Sequence, residues 1–217
     1  MIKEESINSI SEHLKKIPKE WDGKESILDM KNNDGKHWKQ MEWIGFYFEF
    51  LCERHLKDII EFHKIKYDNT SFDGFLEVPF DFKTHIQNSK VKDVVINDKE
   101  AILNALRDYG YIIIIMALGK AEYNDLDRSF YRWHEEIKGG KSKYEKEREE
   151  RGAWSRLRKM GFDTEKIVIF KIDKETLKKC KSFQENFRNS NGSPRRPKFS
   201  LNPKKLNKEE IIAEIKF

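Results

Sequence analysis

Cysteine is scarce in this 217-residue chain: there are two, Cys52 and Cys180, in no CxxC pair and at no repeated spacing. Neither a zinc ribbon nor a disulfide framework is therefore expected to hold it together, and a reducing cytoplasm is the expected location. Long apolar runs are also missing. The longest, Tyr111 to Leu118, falls far short of the ~20 residues needed to cross a bilayer. From Met1 to Pro18 charges are scattered where a secretory leader would carry an apolar stretch, so neither a leader nor a membrane partner is expected. No internal repeat is visible, and neither sign of charge dominates. Forty-three Lys and Arg face 38 Asp and Glu, a formal net charge of +5 with pI near 8.9. That balance identifies no partner, so the placement of the charges carries the information. Aromatic residues are plentiful: 15 Phe, 7 Tyr and 5 Trp argue against disorder even at 37% charged residues.

A chain of this length can bury a core without metals or disulfides, so one domain spanning 1–217 is expected. Residues 1–36 read as a polar, helical lead-in ending in the turn chemistry of Lys31 to Gly35, with no legible function. From His37 to His63 the spacing of Met41, Ile44, Phe48, Leu51 and Leu56 predicts an amphipathic helix. Tyr67 to Gly74 is turn chemistry running into a strand, and Val78 to Thr84 alternates apolar and polar residues as a half-buried strand does. Asn97 to Tyr109 predicts a helix capped by Asn97 or Asp98 and ended by Gly110. The β-branched run Tyr111 to Leu118 predicts a central strand covered on both faces. Helices are expected over Asp127 to Ile137 and Lys174 to Phe187, with a strand at Ile167 to Ile172. The order implies an α/β fold: a mixed central β-sheet flanked by helices.

The chemistry concentrates in Phe72 to Lys83. Asp73 is followed by seven residues and then by Asp81-Phe82-Lys83. On a strand, side chains repeat with period two, so Asp81 and Lys83 share a face, and Asp73 can join them from the other arm of a hairpin. Two hard oxygen ligands can hold Mg²⁺, Phe82 can add its backbone carbonyl, and an ammonium can orient an attacking hydroxide. The spacing Asp/Glu-x-Lys alone is weak evidence: it also occurs at Asp22/Lys24, Asp29/Lys31, Asp34/Lys36, Glu136/Lys138 and Glu214/Lys216. Only the Asp81/Lys83 pair sits on an alternating apolar strand after a second acid at hairpin distance. The competing reading of that pair is an exposed cross-strand charge pair. His85 continues the same face, as a phosphate contact or as a hydrogen-bonded, partly buried histidine.

The preceding helix adds a resemblance. Trp43-Ile44-Gly45-Phe46-Tyr47-Phe48-Glu49 resembles the Trp-Ile-Gly-x-x-x-Glu helix of the methyl-directed mismatch-repair nicking endonucleases and related restriction enzymes, within the PD-(D/E)xK nuclease superfamily. The order of parts is similar too: helix glutamate, strand acid, then acid-x-Lys. The resemblance covers residues 37–90 and implies a restriction-endonuclease-like fold. It also implies a catalytic set of Glu49, Asp73, Asp81 and Lys83, with Mg²⁺ held by Asp73, Asp81, the Phe82 carbonyl and Glu49. The spacer between the two acids is one residue longer than in that pattern, which leaves Asp68 as a rival to Asp73. The third acid is Asp rather than Glu. Glu42, about two helical turns before Glu49, is a rival or a supporting partner.

Two basic stretches within 141–205 are the candidate DNA contacts. Arg151, Arg156, Arg158 and Lys159 lie in a segment without an acid, after an alternating-charge stretch read as an exposed helix. Arg188, Asn189, Asn191, Arg195, Arg196 and Lys198 form a second, loop-like stretch, also free of acids. Such loops suit phosphate contacts and base-edge hydrogen bonds; the alternative is a solvated basic turn. The whole reading is a site-specific, Mg²⁺-dependent double-stranded DNA endonuclease of the type II restriction kind. It would work as a homodimer on a palindromic site, with a cognate DNA methyltransferase acting separately. The alternatives are a structure-specific repair or recombination nuclease, or a DNA-binding regulator without catalysis.

Overall fold

The computed structural model describes residues 2–68, 70–153, 157–188 and 192–217. Arg156, Asn189 and Asn191 therefore lie outside the described residues. The chain runs through α1 (Glu4–Leu14), β1 (Glu20–Asp22), α2 (Gly23–Asn32), α3 (Trp43–Leu56), β2 (Glu61–Phe62), β3 (Lys66–Tyr67) and β4 (Thr70–Ser71). It continues through β5 (Gly74–Leu76), β6 (Val78–Ile86), β7 (Val94–Asp98), α4 (Lys99–Tyr109), β8 (Ile112–Glu122), α5 (Ser129–Ile137) and α6 (Lys143–Glu150). It ends with β9 (Gly161–Ile172), α7 (Lys174–Leu177), β10 (Lys181–Phe183), β11 (Lys198–Leu201) and β12 (Ile211–Lys216). The main sheet has the order β1-β9-β8-β6-β5-β2, with β12 also on β9. β6 and β8 pair in parallel, and β5–β6 and β8–β9 pair antiparallel, which makes the expected mixed central sheet flanked by helices.

β8 shows why the fold closes as it does. Its side chains alternate between two hydrophobic clusters. Ile113, Ile115 and Ala117 enter one with α1, α2 and α3, while Ile112, Ile114 and Met116 enter the other with α4 and β7. A strand covered on both faces reads as a continuous apolar run, as Tyr111 to Leu118 does. At the register shift between Leu118 and Gly119, β8 and β9 approach so closely that a Cβ on Gly119 would meet the Asp163 carbonyl oxygen at 2.1 Å and the Phe162 ring at 2.7 Å. Gly119→Ala should therefore destabilise the domain by about 1–3 kcal/mol, read as a lowered urea midpoint with unchanged slope; an unmoved midpoint would refute the close approach.

Several expectations shift. The helix predicted over 37–63 is confined to Trp43–Leu56, with Met41 ahead of it and 39% exposed. The predicted helix over 174–187 ends after Leu177, although Asp173 caps it through Glu175 and Thr176. The following residues form β10, because Lys181 to Phe183 find backbone partners in Ser200, Phe199 and Lys198 far along the chain. The N-terminal 1–36 is structural: Ile7, Ile10, Leu14, Trp21, Ile27 and Met30 are buried in the first cluster, and β1 extends the main sheet. No helix among the described residues is long and apolar enough to cross a membrane.

Candidate active site

The site forms where β6 loses its neighbour. β5 pairs with β6 through Leu76↔Val78, Phe75↔Pro79 and Gly74↔Phe80, and then the hairpin arms part. The tight reversal is made by Glu77 at φ 61°. Beyond Phe80 the free edge of β6 is met by side chains. Asp73, just before β5, accepts the backbone N–H of Phe82 on Oδ2 at 2.8 Å. Phe80 and Phe82 point into the α3-side cluster, whereas Asp81, Lys83 and His85 share the opposite face with their β8 partners Ile114, Met116 and Leu118.

Lys83 is the centre of the arrangement. Its Nζ lies 3.2 Å from Asp81 Oδ2 and 3.7 Å from Asp73 Oδ2, and it donates to the Phe82 carbonyl at 3.0 Å. The Asp73 and Asp81 carboxyls are themselves within hydrogen-bonding reach of each other. Asp81 is only 1% exposed, so this is no solvated cross-strand pair. Burial pushes the Asp81 carboxyl well above the usual carboxylate range; Lys83 opposes the shift and Asp73 adds to it. Burial alone would lower Lys83, but Asp81, Asp73 and Glu49 together more than offset it and hold the ammonium charged. Glu49 faces the groove from α3, pushed up to about 7 by burial and by the Asp73 charge, with Lys83 pulling the other way.

Two carboxyl groups therefore contact one ammonium, and a third, Glu49, acts on it through its charge. A half-buried excess of negative charge of this kind is relieved by proton uptake or by a hard cation. Among the described residues no three His, Cys, Asp or Glu side chains stand preassembled as a metal cage. The donor chemistry nevertheless fits Mg²⁺: hard oxygens of Asp73, Asp81 and the Phe82 carbonyl converge, and these are the oxygens that now contact the Lys83 ammonium.

A groove of about 430 Å³ runs along this edge between α3 and β7, lined by Glu49, Lys83, His85, Val94 and Lys159. Gly45 leaves α3 without a side chain there, and a Cβ would meet only Thr84 Oγ1, at 3.7 Å. His85 is held below its usual pKa by burial and by Lys92 and Lys204, with Asp93 opposing, which favours the neutral imidazole. The groove shares Glu42, Ile86, Ser89, Val91 and Lys159 with a larger cleft of about 1100 Å³, where five Lys and Arg residues face three Glu.

No family model, no curated protein and no solved structure matches. The chemistry of the site has to be read from its own residues.

Of the rival carboxylates, Asp68 is on the β3–β4 turn at φ 52°, ion-paired to Arg196 at 3.3 Å and away from Lys83. Glu42 precedes α3, is 65% exposed and pairs with Lys159 at the mouth of the groove. The basic candidates separate into exposed and buried groups. Arg158 is buried at 4%, bonded to Glu135 Oε1 at 3.1 Å and stacked over Tyr131, which makes it a packing residue rather than a surface contact. Arg151 is exposed after α6 and bonds back to the Glu147 carbonyl. Arg188, Arg195 and Arg196 are exposed and Lys198 half-buried on an arm rising from β10 and β11, where Phe183 and the 57%-exposed Phe187 also lie. Arg188 and Pro194 extend that hairpin by an isolated bridge. Asn97 was missed by sequence reasoning: its Nδ2 donates to Asp81 Oδ2 at 3.0 Å. No short motif marks it.

Proposed function

We propose that this chain is a Mg²⁺-dependent double-stranded DNA endonuclease with a PD-(D/E)xK-type site, acting as a restriction enzyme. The observation that carries the reading is half-buried Lys83 held between Asp73 and Asp81 at the open edge of β6, with Glu49 adding its charge from α3 and Lys83 and Glu49 both lining a groove. A structural ion pair would need one carboxylate. Two in contact with one ammonium and a third acting on it through its charge suit an active site that takes a cation and a phosphodiester.

Asp73, Asp81 and the Phe82 carbonyl would hold the cation, with Glu49 beside them. When bound, it supplies charge neutralisation at the phosphate and acidification of a water. Lys83, its carboxylates then occupied, is free to point its ammonium at the attacking oxygen and the scissile phosphate. Glu49, held up to about 7 by burial and the Asp73 charge while no cation is bound, would be ionised beside the cation and could then accept a proton from water. The exposed Arg188, Arg195 and Arg196 of the arm, with half-buried Lys198 at its foot, would supply phosphate contacts on the β7 side of the groove, with Lys159 on the α3 side. A twofold dimer would present two such grooves to a palindromic site.

The test is digestion of unmethylated linear phage DNA by the purified protein with Mg²⁺ or with EDTA. Discrete Mg²⁺-dependent fragments are expected, and sequencing their ends gives the target. Intact DNA under all conditions would refute the cleavage reading, and a smear without fixed ends would redirect it to a structure-specific nuclease.

A further inference from the structure

Asp81 Oδ2 receives two donors. One is the Lys83 ammonium; the other is the Asn97 amide, at 3.0 Å. The orientation of that amide is fixed by its second bond, because Asn97 Oδ1 accepts the Asp98 backbone N–H at 2.8 Å, leaving only the NH₂ group to face Asp81. The next residues brace this position from two directions. Asp98 caps α4, its Oδ1 accepting the Ala101 N–H at 3.1 Å in a buried setting. Lys99 donates its backbone N–H to the Pro197 carbonyl at 2.9 Å, and Asp98 is the register partner of Lys198. Asn97 therefore stands on a strand held at once by a helix N-terminus and by the foot of the basic arm.

We propose that Asn97 is a positioning residue for Asp81, fixing which of its oxygens faces Asp73 and the bound cation, from a strand tied to the arm that contacts DNA. The inference deepens the nuclease reading and rests on it for the identity of the reaction. A neutral donor is what this position needs: a second cation would compete with Lys83, and a carboxylate would repel Asp81. Groups that orient a metal-binding carboxylate typically affect metal affinity or activity about 10- to 100-fold.

The experiment compares the wild-type chain with Asn97→Ala and with Asn97→Asp, which keeps the shape and removes the donor. Asn97→Ser is held in reserve should either fail to fold. Calorimetric titration with Mn²⁺ reads cation affinity directly; steady-state cleavage of a duplex in Mg²⁺ separates kcat from KM. Affinity for Mn²⁺ and kcat should each fall by about 10- to 100-fold, while KM for DNA stays within about threefold. Wild-type cation affinity in both variants, or a loss confined to KM, would overturn the inference while leaving a cleaving wild type as a nuclease. If the wild type does not cleave, the nuclease reading fails, and the Mn²⁺ titration still decides Asn97. A wild type that binds no Mn²⁺ overturns the inference outright.

Discussion

Lys83→Ala is expected to reduce Mg²⁺-dependent cleavage by about 10³-fold, the loss typical of a preorganised charge aimed at a reacting oxyanion. The geometry makes the variant informative. Lys83 holds Asp81, Asp73 and the Phe82 carbonyl at 3.2, 3.7 and 3.0 Å. Its removal leaves carboxyls within reach of each other and no neighbouring cation. Deleting one partner of a buried ion pair ordinarily costs several kcal/mol because a charge is stranded. Here the stranded group has an escape: burial already holds Asp81 well above the usual carboxylate range, so it takes up a proton instead. The variant should therefore fold, bind DNA and fail in chemistry, as single-turnover cleavage beside a gel-shift titration would show. Lys83→Arg should fail as well, since a planar fork cannot place a point charge in a space shaped for an ammonium. Cleavage by Lys83→Ala within tenfold of wild type would remove this residue from the reaction.

The parts of this molecule legible in sequence are those whose cause is local. The run from Tyr111 to Leu118 announces a covered strand because both of its faces are apolar, and Asp98 announces α4 because a cap acts on the residues next to it. Asp81 and Lys83 are readable as a pair for the same reason: strand periodicity puts them on one face. What failed was set by distant partners. Lys174 to Phe187 has helical spacing, yet Lys181 to Phe183 gain more from pairing with residues 198–200 than from continuing a helix. Arg158 lies in a basic run and reads as a surface contact, but Glu135, 23 residues earlier, draws it inward. Asn97 is invisible for a related reason. Its role consists of one hydrogen bond to a residue 16 positions away, and an asparagine before a helix cap carries no mark of that.

Glu49 links the chemistry to stability, and the sign of the linkage can be worked through. Its carboxyl is ordinary in the unfolded chain, near 4.5, and is pushed up to about 7 in the folded one, by burial first and by Asp73 second. Between those two values the folded state holds more protons than the unfolded state, so stability falls as pH rises through the window. Below about 4.5 the group is neutral in both states and carries no penalty; above about 7 the penalty is complete, on the order of 3 kcal/mol. The same direction applies to Asp81. Glu49→Gln keeps the shape and removes the charge, so it should be more stable than wild type at pH 8, with the difference shrinking to nothing by pH 4. Denaturant titrations across that range would show it, and equal midpoints at pH 8 would refute the buried-charge account. A divalent cation reverses the balance, because it stabilises the ionised carboxyl. At pH 8 Mg²⁺ should accordingly raise the midpoint of the wild type more than that of Glu49→Gln, while the variant loses cleavage. A gain in stability with a loss of activity at one residue is the pattern of a group held for chemistry rather than for folding.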